Sequence, residues 1–376
     1  MDTLTLYDFQ VYWWILISLL GAALAFLLFV QGGQTLLYTI AKNETERNLL
    51  VNALGKKWEL TFTTLVTFGG AFFAAFPLFY ATSFGGAYWL WMFILFGFIL
   101  QAVSYEFRRK PNNFLGQKTF EYFLLTNGIL ATVLIGVAVG GFFTGNEFYI
   151  NKYNLSQWNN SLRGLESIVI FQNLLLGLTV FFLARCNALM FFINRIDYNK
   201  IWERSVRQLK GNATLFLLCF LLFALMLLTQ TGFTTDPMTK TIGLEKYKYT
   251  HNLIEMPIAG LIFLIGAMLV LLGIYVSLDK NSRRGIWFSG GGTIAVVFSL
   301  FLIAGLNNTP FYPSTSNIDS SLTIENASSS LFTLKTMTYV SFFLPLVIAY
   351  IWYSWYAMTK KKINELEVND EKNFTY

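Results

Sequence analysis

Charge is what this sequence has least of. Only 13% of its 376 residues are Asp, Glu, Lys or Arg, about half the share of an ordinary soluble domain. Hydrophobic residues make up 55% and the mean hydropathy is +0.51, which excludes a soluble fold because that much apolar surface is driven out of water. Histidine is nearly absent: His251 stands alone. The two cysteines, Cys186 and Cys219, each lie in a hydrophobic run with no second cysteine nearby and read as small buried apolar residues without a disulfide or metal role. No Cys/His zinc spacing and no phosphate-binding GxxxxGK[ST] loop occurs. Haem iron takes His, Met or Cys as axial ligands; one loop histidine, two isolated cysteines and nine scattered methionines make this chain a poor holder of several haems. Any redox chemistry is then carried by a partner.

What is present is a series of long apolar runs. A crossing needs about 20 mainly apolar residues at 1.5 Å each, and nine stretches meet that length, at about 12–40, 60–80, 87–107, 120–143, 165–193, 213–232, 256–278, 286–306 and 334–358. The expected fold class is an all-α polytopic membrane protein, one transmembrane domain over 1–376 ending in a cytoplasmic tail, 359–376. The first ten residues contain Asp2 and Asp8 but no Lys or Arg, and the run behind them is longer than the core of a signal peptide, so the first helix is expected to stay in the protein.

Alternate connections differ in charge. The odd-numbered loops and the tail hold 20 Lys and Arg, whereas the amino terminus and the even-numbered loops hold 5. The positive-inside rule places the amino terminus outside and the tail in the cytoplasm. The net charge of +6 is thus a matter of topology, and no nucleic acid partner is implied. Arg185 and Lys335 fall within spans, near ends where a long side chain can snorkel. Tyr12, Trp13 and Trp14, Tyr88, Trp89 and Trp91, and Trp352, Tyr353, Trp355 and Tyr356 sit at headgroup levels as anchors. Outer loops 144–164, 233–255 and 307–333 are expected to be ordered and polar rather than a further domain, and no internal repeat is evident.

Polar residues inside spans carry the functional information. Gln31, Gly32, Gly33 and Gln34 lie in the inner half of the first helix, either packing helices closely or facing a hydrated inward pocket. Glu59 after Trp58, Glu106 and Glu121 lie at one depth, toward the cytoplasm. Glu59 and Glu121 open helices and could simply complement the dipole; alternatively the three line an inward-facing proton-conducting pocket, burial raising their proton affinity.

Several stretches resemble the second subunit of bacterial cytochrome bd-type quinol oxidases. Asn43-Glu44-Thr45-Glu46-Arg47, leading through Asn52 to Trp58-Glu59, and Gly69-Gly70-Ala71-Phe72-Phe73-Ala74-Ala75-Phe76-Pro77 with Tyr80-Ala81, are similar to the family's N-D-T-E-R, W-D and G-G-A-L-F-A-A-W-P. Pro310-Phe311, Pro313, Ser320, Leu322-Thr323, Ala327-Ser328-Ser329, Leu331, Thr333-Leu334 and Met337-Thr338 resemble its carboxyl-terminal region. The resemblance implies two four-helix bundles plus a peripheral helix, in the bacterial cytoplasmic (inner) membrane. It implies a heterodimer with a similarly folded subunit I that holds haems b and d and the quinol site, with lipids and room for a small accessory subunit. This chain would carry no cofactor, metal or catalytic residue, and would support quinol oxidation and reduction of dioxygen to water through assembly and cytoplasmic proton delivery.

The family's D-G-F-D-L-G is here Gln31-Gly32-Gly33-Gln34-Thr35-Leu36, and its F-R-P is Leu100-Gln101-Ala102. Amides hydrogen-bond but do not titrate near neutrality. Family aspartates appear as Glu59, Glu106 and Glu121. The proton-path candidates are therefore Glu59, Glu106, Glu121, Trp58, Gln31, Gln34 and Gln101. Two other readings are a secondary transporter, which favours repeated halves and broken helices and for which Gly290-Gly291-Gly292 is the strongest break candidate, and a purely structural membrane scaffold.

Overall fold

The computed structural model describes residues 4–111, 113–279 and 282–364, so most of the expected cytoplasmic tail, 365–376, lies outside the described residues. The chain is all-α apart from two small hairpins. Thr5 caps α1 (Leu6–Leu27) in a reciprocal box: Thr5 Oγ1 accepts from Asp8 N and the Asp8 carboxylate accepts from Thr5 N, which satisfies amides that would otherwise be orphaned at a helix start. The first crossing is one stretch, Leu6–Gln34: it runs on from α1 as α2 (Phe29–Gln34), with Leu28 N and Gly32 N keeping their bonds to Leu24 O and Leu28 O, and α3 (Leu37–Ile40) follows after Thr35-Leu36. Thr35 Oγ1 bonds Gly32 O at 2.6 Å, engaging a carbonyl at the end of α2.

Helix α4 (Glu44–Gly55) lies in the first basic loop and leads into α5 (Trp58–Ala75), which runs through α6 (Pro77–Tyr80) and a π-helical turn, Ala81–Gly86, to α7 (Tyr88–Phe107). Then come α8 (Gln117–Thr144), hairpin β1 (Phe148–Ile150) and β2 (Ser156–Trp158), α9 (Phe171–Arg195) and α10 (Asn199–Thr229). Hairpin β3 (Thr231–Thr235) and β4 (Ile242–Lys246), α11 (Lys248–Glu255), α12 (Pro257–Leu278), α13 (Gly285–Gly305), α14 (Leu331–Ser341) and α15 (Leu344–Thr359) complete the chain.

Seven helical stretches among the described residues are long and apolar enough to cross a membrane, and the pair α14 and α15, bent by 44°, makes an eighth. The remaining expected crossing, α5, carries Glu59 and four threonines. Thr63, Thr64 and Thr67 turn their hydroxyls back onto carbonyls of the preceding turn, which makes a threonine-rich helix compatible with lipid. Two expected boundaries move. Residues 165–169 form a 3-10 turn ahead of α9, and α10 starts at Asn199 and stops at Thr229, so its basic first half projects beyond the apolar part. Gly290-Gly291-Gly292 does not break α13. Instead a Cβ on Gly292 would lie 2.6 Å from Gly266 O, so glycine there lets α13 close on α12.

Each end has its own core. At the end carrying the hairpins, Phe311 inserts against Trp14, Phe72, Phe76, Phe79 and Phe142, and Trp14 Nε1 donates to Phe301 O, so every buried indole donor there has a use. Trp158 of β2 fills the space over Gly86 and donates to Thr82 O, docking the outer hairpin on the α6–α7 turn. At the basic end, α2 wedges between α8 and α9. A Cβ on Gly32 would sit 2.2 Å from the Ala184 backbone, and one on Gly128 would sit 2.5 Å from Gln31 O. After α15 the chain returns to α9: Ile363 N donates to Arg195 O and Asp197 N donates to Ile363 O.

Because the Gly32 contact is with backbone, no side chain can rotate out of the way. Gly32→Ala is expected to cost at least about 3 kcal/mol and to lower the amount of folded protein recovered from membranes, whereas Gly291→Ala, which meets nothing within 4 Å, leaves it unchanged.

Candidate functional site: an amide cluster beside an ion-paired glutamate

Gln31 and Gln34 of α2 face α7 and α8. Both are fully buried, as are Gln101 and Asn127. Gln31 Nε2, Gln34 Nε2 and Asn127 Nδ2 all donate to Gln101 Oε1, at 2.7, 2.6 and 2.7 Å. Asn127 Nδ2 also reaches Gln34 Oε1 at 3.0 Å, and Gln34 Nε2 reaches the Tyr105 hydroxyl at 3.2 Å. Trp58 stacks on the Tyr105 ring, 5.8 Å between centroids and 14° between planes. The result is a polar run from Trp58 at the start of α5 through Tyr105 to four amides in an otherwise apolar interior. Gln31 Oε1, Gln101 Nε2, Asn127 Oδ1 and Trp58 Nε1 are buried without a protein partner among the described residues.

The three glutamates do not share this setting. Glu121, in the first turns of α8, is buried and fully engaged: Arg108 Nη2 and Nε donate to Oε1 at 2.7 and 3.1 Å, Tyr38 donates to Oε2 at 2.8 Å, and Arg47 Nε lies 3.3 Å from Oε2. Glu106 is exposed and pairs with Lys110 one turn on. Glu59 is exposed at the start of α5. The structure therefore brings Gln31, Gln34, Gln101, Tyr105 and Asn127 together with Trp58 at their edge, sets Glu121 in an ion pair, and leaves Glu59 and Glu106 on the surface. Asn127 and Tyr105 carried no sequence signal beyond a polar residue and a phenol in a span.

The Asn43-to-Arg47 stretch acquires a physical role. Asn43 Oδ1 caps α4 by accepting from Glu46 N. Glu46 accepts from Lys42 N and from Arg204 of α10, both at 2.6 Å. Arg47 reaches Glu121, and the next residue, Asn48, accepts from Arg108 at 2.7 Å. One short loop thus ties α7, α8 and α10 through charges removed from water. Burial pushes the Glu46 carboxyl up, but the Arg204 guanidinium and the Lys42 amide outweigh it and hold it below the usual carboxylate range.

The ligand set does not fit haem in this chain. His251 sits in α11 with its Nδ1 2.6 Å from Glu245, beside Lys248, and Cys186 and Cys219 are buried in separate helices. Among the described residues no three of His, Cys, Asp and Glu cluster as a metal site.

The family model described as cytochrome bd terminal oxidase subunit II matches residues 9–358. A probable cytochrome oxidase subunit 2 of Haemophilus influenzae is 27% identical, covering 92% of this chain and 93% of the relative. The cytochrome bd-I ubiquinol oxidase subunit 2 of Escherichia coli is 25% identical over 95% and 96%. A chain in the structure of bd oxidase from Geobacillus thermodenitrificans superposes with a TM-score of 0.64 at 13% identity, over 94% of this chain and 100% of that one, a likeness of fold.

Two outcomes follow from this chemistry. Gln101→Arg alone buries an unpaired cation and should cost on the order of 3 kcal/mol or more; adding Gln31→Asp and Gln34→Asp should recover most of it, read as thermal midpoint in detergent. The lowered Glu46 carboxyl contributes stability that is present above the unfolded value of about 4.5 and lost as pH falls through the lower folded value. Glu46→Gln should therefore flatten the fall in melting temperature between neutral and acidic pH.

Proposed function

The chain belongs to the cytochrome bd terminal oxidase subunit II family, and from that premise we propose that it is the haem-free subunit of a quinol-oxidising terminal oxidase of the bacterial cytoplasmic membrane. Its partner, subunit I, binds haems b and d and the quinol, and reduces dioxygen to water; this chain contributes no catalytic residue, supports assembly, and helps bring cytoplasmic protons to the partner. That carries over to this chain the quinol-oxidase chemistry in the names of its relatives.

The observation that carries the proton reading is the polar run starting at the basic end. Trp58 stacks on Tyr105 at the start of this run, and Glu59, the next residue after Trp58, is an exposed carboxylate at the start of α5. Gln34, Gln101, Asn127 and Gln31 extend it into the bundle. Amides cannot change protonation state near neutrality, so they act by orienting hydrogen bonds while a carboxylate supplies the exchange. Buried polar atoms lacking a protein partner, such as Gln101 Nε2, are the kind that ordered water satisfies. Glu106, paired with Lys110, lies on the surface.

A purely structural role is supported by a different observation: Glu121, the most buried of the three acids, is locked by two guanidiniums and a phenol. Glu59 separates the readings because it is exposed and no ion pair holds its carboxylate among the described residues. In the intact oxidase, Glu59→Gln and Glu59→Leu should lower quinol-driven proton uptake by at least about tenfold with haem content unchanged. Uptake equal to wild type would leave the scaffold reading standing.

A further inference from the structure

Three arginines reach into the basic end of the helices, and two of them have carboxylates. Arg108 meets Glu121 at 2.7 Å and Arg204 meets Glu46 at 2.6 Å. Arg185 has none: no Asp or Glu among the described residues lies within ion-pair distance of it. Its Nε donates to Asn212 Oδ1 at 2.7 Å and its Nη1 to Thr35 Oγ1 at 3.0 Å, both neutral acceptors. The guanidinium sits over the Phe181 ring, 5.3 Å from its centroid. Two of its five N–H groups are used by described residues, no carboxylate among the described residues compensates its charge, and it is half-buried rather than sealed. A bare cation beside hydrocarbon is costly, and two hydrogen bonds to neutral oxygens orient it without neutralising it.

Its depth identifies what neutralises it. In α10 the apolar stretch begins at Ala213, immediately after Asn212, and ends at Thr229. Asn212 is about 17 residues from Thr229, about 26 Å along the axis, close to the roughly 30 Å of a hydrocarbon layer. Arg185, bonded to Asn212, is therefore level with the basic end of the apolar part of α10 and ten residues, about 15 Å, short of the end of its own helix at Arg195, a depth from which a long side chain snorkels toward the phosphodiesters of membrane lipids. One turn below, Thr39 donates to Gln208 Oε1 at 3.1 Å, leaving the Gln208 amide nitrogen as a further donor at headgroup level. Arg207 and Lys210 are exposed in the neighbouring turns of α10, and exposed leucines, Leu215, Leu218 and Leu222, continue upward beside the site.

We infer that Arg185, held by Asn212 and Thr35, binds the phosphate of an anionic phospholipid in the leaflet at the basic end, with the acyl chains lying along α10. A guanidinium offers two parallel N–H groups to two phosphate oxygens, and the lipid carries the charge that the described residues do not supply. The site is separate from the proton route and stands or falls independently of it.

The test uses the intact native complex in nanodiscs, phosphatidylcholine alone or with increasing phosphatidylglycerol, with native mass spectrometry counting retained lipid. Wild type should retain one phosphatidylglycerol per copy that Arg185→Gln does not, with apparent affinity lower by about fivefold, the share expected of one basic residue at a membrane surface. Equal retention by the two overturns the proposal. Arg185→Lys, which keeps the charge but not the fork, covers a glutamine variant that fails to assemble: intermediate retention supports the site, and retention equal to wild type overturns it. Protection of the wild-type complex against heat by inorganic phosphate as effective as that by phosphatidylglycerol overturns a lipid in favour of a soluble anion. A partner-subunit carboxylate seated on Arg185 overturns it as well.

Discussion

A carboxylate withdrawn from water and held by two guanidiniums anchors the basic end of this protein. Glu121 of α8 is nearly inaccessible, Arg108 beyond the end of α7 is wholly so, and Arg47 joins them from the first loop. Such a group is costly to desolvate and costlier to break, because removing one member strands the others. Its stabilising value is modest, but its geometry is demanding: each oxygen of the carboxylate has its own donors, so α7, α8 and the first loop meet in one register. Glu46, one residue before Arg47, carries the same loop to α10 through Arg204.

That register places the amide cluster. With α7 and α8 fixed at their basic ends, Gln101 and Asn127 face the first crossing, and Gly32 lets α2 come close enough for Gln31 and Gln34 to reach them. Three positions where the resemblance implies two acids and an arginine carry three glutamines here, and the three contact one another. The replacement is coherent because charge leaves as a set: any one of the original groups alone would be an unpaired ion in a low-dielectric interior. What remains is a polar, hydrogen-bonded core of amides that do not titrate near neutrality.

The two ends of the molecule are built on opposite principles. At the hairpin end, rings do the work: Trp14, Phe72, Phe79, Phe142 and Phe311 interlock by edge and face, and the loops are extensions of an apolar core. At the other end charge is neutralised site by site, inside the chain for Arg108 and Arg204. Arg185 is held instead by two neutral oxygens, those of Asn212 and Thr35.

The sequence by itself determined the solvent. Runs of apolar residues about as long as a bilayer is thick, with Lys and Arg concentrated in alternate loops, can be satisfied only by helices in lipid, and that pattern is local and additive, so it is legible without a structure. The position of each acid along its helix was legible too. What depth cannot give is direction around the helix axis, and there tertiary structure alone decided. It turned Glu121 inward to two arginines, left Glu59 and Glu106 outside, and recruited Tyr105 and Asn127 to Gln34 and Gln101. Those outcomes depend on which faces meet, which is fixed by close approach at residues such as Gly32 and by pairing between residues far apart in the chain, neither of which a linear pattern records.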